Sequence, residues 1–170
     1  MFSETINFES CCQSDEIVEF LYSIFKNDFI DTSCHLANTI YIDPIAKDKR
    51  NEKEKIFWHI ITKDNAKSEK RELDKNRASR IKWIKKMILN HNHHKIKLFY
   101  HYENRQKVVR LYLWAYDENF IVIIQKLGKS SSHLVTSFYI DKHYNKNIYE
   151  TRYQNYLSKK DINLEKCEWF

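Results

Sequence analysis

Glycine and proline are almost absent from this chain, which contains only Gly128 and Pro44 in 170 residues. Ordinary usage would supply about a dozen glycines and about eight prolines at this length. Backbone loops that wrap phosphate groups need several glycines close together, so the sequence excludes a P-loop and a dinucleotide-binding fingerprint. Collagen-like, proline-rich and glycine/serine-linker chains are excluded for the same reason. Any phosphate bound by this chain must therefore be held by side chains.

Length and composition predict one folded domain spanning 1–170. Aromatic residues make up 15% of the chain, which argues against disorder although 31% of the residues are charged. No apolar run approaches the roughly 18 residues that a membrane span needs, and no secretory signal is visible, so we expect no membrane partner. The cysteines form no CxxC pair and predict reduced thiols in a cytoplasmic protein; they are Cys11, Cys12, Cys34 and Cys167.

Charge is distributed unevenly along the sequence. Residues 1–46 contain one lysine and eight acidic residues, a net charge of −7, whereas the remainder contains 28 Lys and Arg and 15 Asp and Glu, a net charge of +13. A basic body over 47–160 favours a polyanionic partner such as RNA; the alternative is a solvated basic surface without a partner. The acidic helical segment 1–46 also suggests an internal mask over the basic face.

Apolar spacing predicts three helices. Apolar residues recur every three to four positions in each of them, and Ser14 or Asp15 is a suitable N-cap for the first. Lysines and arginines occupy most of the remaining surface of the second predicted helix. The predicted helices span 14–29, a range from Asp74 or Asn76 to Leu89, and 145–158.

Segments rich in β-branched and aromatic residues predict strands. The first long one is 56–62 (IFWHIIT), and a shorter one lies at 38–43. The polar residues 63–72 are predicted to form a loop, and so are the mostly charged residues 47–55. Four later strands are separated by short polar spacers, which predicts an antiparallel meander; they span 96–102, 107–116, 119–126 and 132–140. The order of elements predicts an α+β fold.

His59 is the first candidate for chemistry. Strand alternation would place it on one face with Phe57 and Ile61. A histidine in an apolar strand needs a hydrogen-bond partner or an opening onto a cleft, and near neutral pH it can act as a general acid or base. A core histidine with satisfied hydrogen bonds is the alternative.

Basic and aromatic residues supply two further candidate surfaces. Arg77 and Arg80 are three residues apart and would share a helix face, where they could clamp a phosphate; the alternative is a solvated basic face. Arg110, Tyr112 and Trp114 share one strand face, which suits base stacking and phosphate pairing. The alternative is that these aromatic rings pack beneath a helix.

Hydroxyl groups occur along the last predicted strand. Alternation places Ser137 and Tyr139 on one face and Thr136 on the other, where they could contact a phosphate or simply hydrogen-bond locally. The run HNHH at 91–94, near His101, does not match the spacing of a helical zinc pair and is better explained as imidazoles at a helix end. We therefore predict no metal and no cofactor.

Five motifs in this order resemble the phage-associated branch of the barnase–EndoU–colicin–RelE ribonuclease superfamily. They cover about residues 56–157 and read FWHIITK (57–63), RASRIKWIKKMI (77–88), RLYLWAY (110–116), FIVIIQK (120–126) and LVTSFYID (134–141). The resemblance implies N-terminal helices packed on a curved antiparallel sheet of four to five strands, with a C-terminal helix.

The resemblance also implies a metal-independent endoribonuclease, a toxin or antiphage effector in which the RNA 2′-OH attacks the adjacent phosphate. A cognate antitoxin or immunity protein would then be a partner beside RNA. The implied catalytic residues are His59, Arg77, Arg80, Thr136, Ser137 and Tyr139, with His133 as a further candidate for proton transfer. The substrate-binding residues would be Lys63, Arg110, Tyr112 and Trp114.

Two other classes of function fit the same sequence. One is a non-catalytic RNA- or DNA-binding module that uses the basic and aromatic surface without cleaving. The other is an interaction protein, the neutralising partner in a toxin pair, with the acidic segment 1–46 as its working surface.

Overall fold

The computed structural model describes residues 2–8, 14–45, 47–65 and 68–170, and its fold is α+β as predicted. Cys11 and Cys12 lie outside this range, while Cys34 and Cys167 are free thiols. The elements in chain order are α1 (Ser14–Phe29), β1 (His35–Leu36), β2 (Ile40–Asp43), β3 (Lys49–Arg50), β4 (Lys53–Glu54), α2 (Lys55–Ile61), β5 (Thr62–Asn65), β6 (Lys70–Leu73), α3 (Lys75–Ala78), α4 (Ile81–Leu89), β7 (Ile96–Glu103), β8 (Val108–Ala115), β9 (Phe120–Lys126), β10 (Ser131–Tyr139), α5 (His143–Leu157) and the 3₁₀ turn Ile162–Leu164.

A curled six-stranded sheet forms the centre of the fold. Its strand order is β1-β2-β10-β9-β8-β7, and the last four strands form the predicted antiparallel meander. The sheet is larger than the predicted four to five strands because β2 pairs with β10 in parallel and β1 adds a short edge strand. The segments predicted as loops each contain a short hairpin, β3–β4 and β5–β6.

One face of the sheet carries the main core, the cluster of buried side chains beneath α1, α2 and α4. α1 contributes Leu21, Phe25 and Phe29, and the sheet contributes residues such as Leu113 and Val122. The N-terminal helices therefore pack on the sheet as expected. α1 belongs to this core and β2 to this sheet, so the described part of the acidic segment is an integral part of the fold.

The opposite face carries a second cluster covered by α5. Here Phe99, Tyr112, Trp114, Ile121 and Ile123 pack against tyrosines of the helix. None of the residues of α5 is itself fully buried. Along its length α5 therefore covers part of this face and leaves the rest open. No helix among the described residues is long and apolar enough to cross a membrane.

The strand predicted at 56–62 is wrong, because residues 56–61 lie in α2 and only Thr62 is in a strand, β5. This helix buries Phe57, Ile60 and Ile61, a spacing of three and four residues that matches one helix face. Isoleucine and aromatic residues favour strands locally, but packing against the main core decides the outcome. Residues two apart in a helix point to nearly opposite sides, so His59 is exposed while Phe57 is buried.

The predicted basic helix is interrupted at Ser79 and Arg80. Of the two residues predicted to begin this helix, Asp74 is the N-cap of α3, and its side chain accepts hydrogen bonds from the backbone N–H groups of Asn76 and Arg77. Arg80 then has φ −108° and ψ 12°, which is outside the α-helical region. Arg77 and Arg80 consequently lie on either side of a break and do not share one helix face.

Replacing Leu21 by alanine tests whether α1 is part of the main core. Leu21 is fully buried, so we expect the variant to lose about 2–5 kcal/mol of unfolding free energy in a denaturant titration. The matched control Leu157→Ala removes a helical leucine that is half exposed, and it should cost less than about 0.5 kcal/mol. Equal, small effects of both changes would contradict the packing of α1.

Candidate functional site

The C-terminal end of α2 is capped by two arginine side chains. Arg71 donates from Nη2 to the Thr62 carbonyl oxygen at 2.8 Å and from Nε to Thr62 Oγ1 at 2.9 Å. Arg77 donates from Nη1 to the carbonyl oxygens of His59, at 3.3 Å, and Thr62, at 3.2 Å. Carbonyl groups at a helix C-terminus lack partners within the helix and carry partial negative charge. Both guanidinium groups therefore serve as caps for α2.

His59 and Lys63 also lie at the C-terminal end of α2. Desolvation lowers the pKa of His59, and the positive charges of Arg71 and Arg77 lower it further. Lys63 forms an ion pair with Asp74 at 3.5 Å, and Asp74 also pairs with Arg77 at 3.6 Å. The structure thus brings the predicted residues His59, Lys63 and Arg77 together. The charged groups of Lys63 and Arg77, however, already contact carboxylate or carbonyl oxygens of the chain.

Arg80 is held in a separate environment. Its guanidinium lies 4.4 Å from the Tyr139 ring centroid and 5.2 Å from that of Trp83, and Nη1 donates to the Asn76 carbonyl oxygen at 2.9 Å. Desolvation lowers the pKa of Arg80. Tyr139 is therefore near Arg80, as the predicted site requires, but Arg77 donates to carbonyl groups at the end of α2, and the charge of Asp74 acts on both arginines.

The hydroxyl residues of β10 separate onto the two faces of the sheet. Ser137 is fully buried on the side of the main core, where its Oγ has no hydrogen-bond partner among the described residues. Thr136 lies opposite Ile123 on the α5 face. A β-bulge between Leu134 and Thr136 shifts the register. Ser137 and Thr136 therefore cannot contact the same phosphate.

Tyr112 and Trp114 do not form an open stacking surface. They are 1% and 0% exposed, and both rings lie beneath α5, where they contact Tyr149. The structure therefore matches the alternative in which the aromatic side chains pack under a helix. The Tyr112 hydroxyl hydrogen-bonds Glu103 and accepts from Arg152 Nη1 at 3.0 Å, which ties α5 to the sheet.

Beyond the aromatic residues of this face, five polar side chains form one row across five adjacent strands. Strand pairing places His101 opposite Arg110, Arg110 opposite Gln125, Gln125 opposite His133, and His133 opposite Asp43. Residues directly opposite each other in a sheet project from the same face. We call these five residues the polar row. All five are partly exposed, which makes the row the open part of the α5 face.

The row is held by contacts among its own members and their neighbours. Arg110 donates from Nε to Gln125 Oε1 at 3.1 Å. The His101 ring meets the Tyr112 ring edge-on at a centroid distance of 6.0 Å. Asp43 Oδ1 accepts from the backbone N–H of Ile45 at 2.7 Å. These contacts hold the side chains of His101, Arg110, Gln125 and Asp43 in place on their strands, as a binding or catalytic site requires.

Both histidines of the row have a lowered pKa. For His133 the causes are desolvation and then the positive charge of Arg110, with Asp43 opposing them. For His101 they are desolvation and then Arg152, with Glu103 opposing them. The Nδ1 atom of His133 is buried without a partner among the described residues. Two imidazoles that titrate below their ordinary range therefore flank a central arginine and an amide.

Sequence reasoning identified only part of this row. Arg110 was a predicted substrate-binding residue and His133 a further candidate for proton transfer, whereas His101, Gln125 and Asp43 were missed as site residues. Each is a polar residue on the same sheet face as Tyr112 or its neighbours. Alternation within one strand reveals such a residue, but only the register between strands shows that the five meet.

The described residues contain no group of three or more His, Cys, Asp or Glu side chains that could hold a metal ion. Comparison with protein-family models, curated proteins and solved structures finds no match for this chain. The resemblance to the ribonuclease superfamily therefore stays a prediction that depends on the sequence motifs.

NMR titration of the histidine ring protons tests the electrostatics of the polar row. We expect both His101 and His133 to titrate below the ordinary value of 6.5. Arg110→Gln should raise the midpoint of His133, because the imidazolium then no longer faces a neighbouring guanidinium. The control Arg105→Gln, at an exposed turn between β7 and β8, should leave that midpoint unchanged. An unchanged His133 midpoint in Arg110→Gln would contradict this arrangement.

Proposed function

We propose that this protein is a metal-independent endoribonuclease whose reaction takes place at the polar row. The observation that supports this proposal is the pair of imidazoles, His101 and His133, on either side of Arg110 and Gln125. Their backbones are three strand spacings apart, about 14 Å, so both imidazole rings must lean toward Arg110 and Gln125 to reach the two oxygens of one phosphodiester group. The basic body of the chain, with a net charge of +13 beyond residue 46, favours a polyanionic substrate.

The proposed reaction needs two proton transfers and one cation. One imidazole accepts the proton of the RNA 2′-OH while O2′ forms a bond to phosphorus. The bond from phosphorus to O5′ breaks, and the other imidazole donates its proton to the leaving O5′, which gives a 2′,3′-cyclic phosphate and a 5′-OH. Arg110 stabilises the additional negative charge of the phosphorane, and Gln125 holds the guanidinium in place.

This proposal moves the proton transfer away from His59. His59 lies in α2 on the other side of the sheet from the polar row's open surface, beside two arginines whose hydrogen bonds go to helix carbonyl groups. Tyr139 and Ser137 likewise project toward the main core. Of the residues predicted from the sequence, Arg110 and His133 keep a direct role in this proposal.

We further propose that the enzyme acts in the cytoplasm as a toxin or antiphage effector with a cognate antitoxin or immunity protein. The resemblance to the ribonuclease superfamily supports this role. Plasmids that express the wild-type chain should then slow the growth of a bacterial host, whereas His133→Gln should be tolerated. Equal growth with both plasmids would argue against a toxin.

Cleavage of single-stranded RNA in the presence of EDTA tests the reaction. We expect His101→Gln, His133→Gln and Arg110→Gln each to lose about 10²–10⁴-fold in rate. The control His59→Gln should cleave at a rate close to that of the wild type. Because one imidazole must be neutral and the other protonated, and both have lowered pKa values, the rate should be highest below pH 6.5 and fall as the pH rises.

Two outcomes would contradict the proposal in different ways. Loss of cleavage in His59→Gln with full activity in His133→Gln would show that the reaction takes place beside His59, at the C-terminal end of α2. Binding of RNA that weakens steeply with salt, without any strand cleavage, would identify the non-catalytic RNA-binding alternative. Circular dichroism of each variant separates loss of activity from loss of folding.

A further inference from the structure

The outer surface of α1 and α4 combines exposed apolar side chains with an open groove. Phe20 is 45% exposed and Leu89 51% exposed, although both lie on helices that form the main core. Between the helices lies a groove of about 490 Å³, lined by residues that include Ile24 and Leu89. Exposed apolar groups that cluster together commonly mark an interaction surface.

Opposite charges lie at the two ends of this surface. Lys82 and Lys86 line the groove beside the C-terminal end of α1, where Lys85 pairs with Asp28 at 3.6 Å. Glu16 is exposed on the face of α1 that also carries Phe20, one turn away. At 1.5 Å per residue, Glu16 lies about 18 Å along the helix from the lysine end. The apolar residues Phe20 and Ile24 occupy the middle.

We propose that this surface is the interface between two copies of the chain. A surface with a positive end, an apolar middle and a negative end is self-complementary under a two-fold rotation about its middle. The rotation places Glu16 of one copy opposite Lys82 and Lys86 of the other and brings the two apolar stripes together. A second copy thus satisfies both charges without any other partner.

The same surface is poorly suited to RNA. Lys82 and Lys86 would attract phosphates, but the Lys85 charge is already paired with Asp28. Glu16 would repel phosphates, and the exposed side chains of Phe20 and Leu89 offer no charge to a nucleic acid. The size of the surface indicates the strength of the contact. α1 has 16 residues and α4 has 9, so the helices are about 24 Å and about 14 Å long; a contact of this size buries less area than a stable dimer needs, so the dimer is reversible and depends on concentration.

The dimer lies on the opposite side of the sheet from the polar row. α1 and α4 cover the main core, whereas the polar row is on the face covered by α5. Both polar rows of a dimer therefore remain open. The proposed dimer does not depend on the proposed ribonuclease activity, so the two proposals can be tested separately.

Sedimentation equilibrium of the full chain, up to about 100 μM, tests the dimer. We expect the wild type to dimerise, and both Lys82→Glu/Lys86→Glu and Glu16→Lys to be monomeric, because each change places like charges opposite each other. Mixing these two variants should restore a heterodimer, since the reversed charges again match. The control Lys70→Glu/Lys129→Glu, which changes two exposed lysines elsewhere, should dimerise like the wild type.

The proposal is overturned by a wild type that stays monomeric over the whole range, or by a Lys82→Glu/Lys86→Glu variant that dimerises like the wild type. Failure of the two reversed variants to associate with each other would also overturn it. If the lysine variant instead loses RNA affinity while the wild type is monomeric, the surface binds RNA and not a second copy of the chain. Circular dichroism of the variants confirms that each is folded.

Discussion

Burial of β9 on both of its faces is the constraint on which the rest of the structure depends. Residues from Phe120 to Ile124 are buried, and successive residues point to opposite sides of the sheet. Water must therefore be excluded from both faces, which requires helices on both sides. α1, α2 and α4 cover one face and α5 covers the other. The apolar run ends at Gln125, and there the polar row begins.

The position of the polar row follows from where this cover ends. Tyr112 and Trp114 lie under α5 and close the second cluster, while Arg110, two residues earlier in β8, lies beyond it. The network of Glu103, Tyr112 and Arg152 fastens α5 beside the row. The helix thus supplies part of the low-dielectric surroundings that lower the pKa of His101 and leaves the row open to a ligand.

Much of the fold could be predicted from the sequence because its periodicity is strong. The helix over 14–29 and the four-stranded meander follow directly from spacing, and Asp74 was one of the two residues predicted to begin the basic helix. The segment 56–62 could not be assigned, because a short apolar run fits a strand and a helix equally well and only packing decides between them. The wrong strand assignment also placed His59 on a buried sheet face, whereas α2 exposes it.

The site was harder to predict than the fold for a reason that lies in strand pairing. Five residues separated by up to 90 positions in sequence meet only because β2 joins β10 in parallel and the meander keeps one register. A shift of one residue in any strand would turn its side chain to the opposite face. Arg110 was noticed because aromatic residues surround it, whereas alternation alone does not distinguish His101 and Gln125 from other polar residues of β7 and β9 such as Glu103 and Lys126. Their common row exists only at the level of the sheet, and this is why it has no sequence motif of its own.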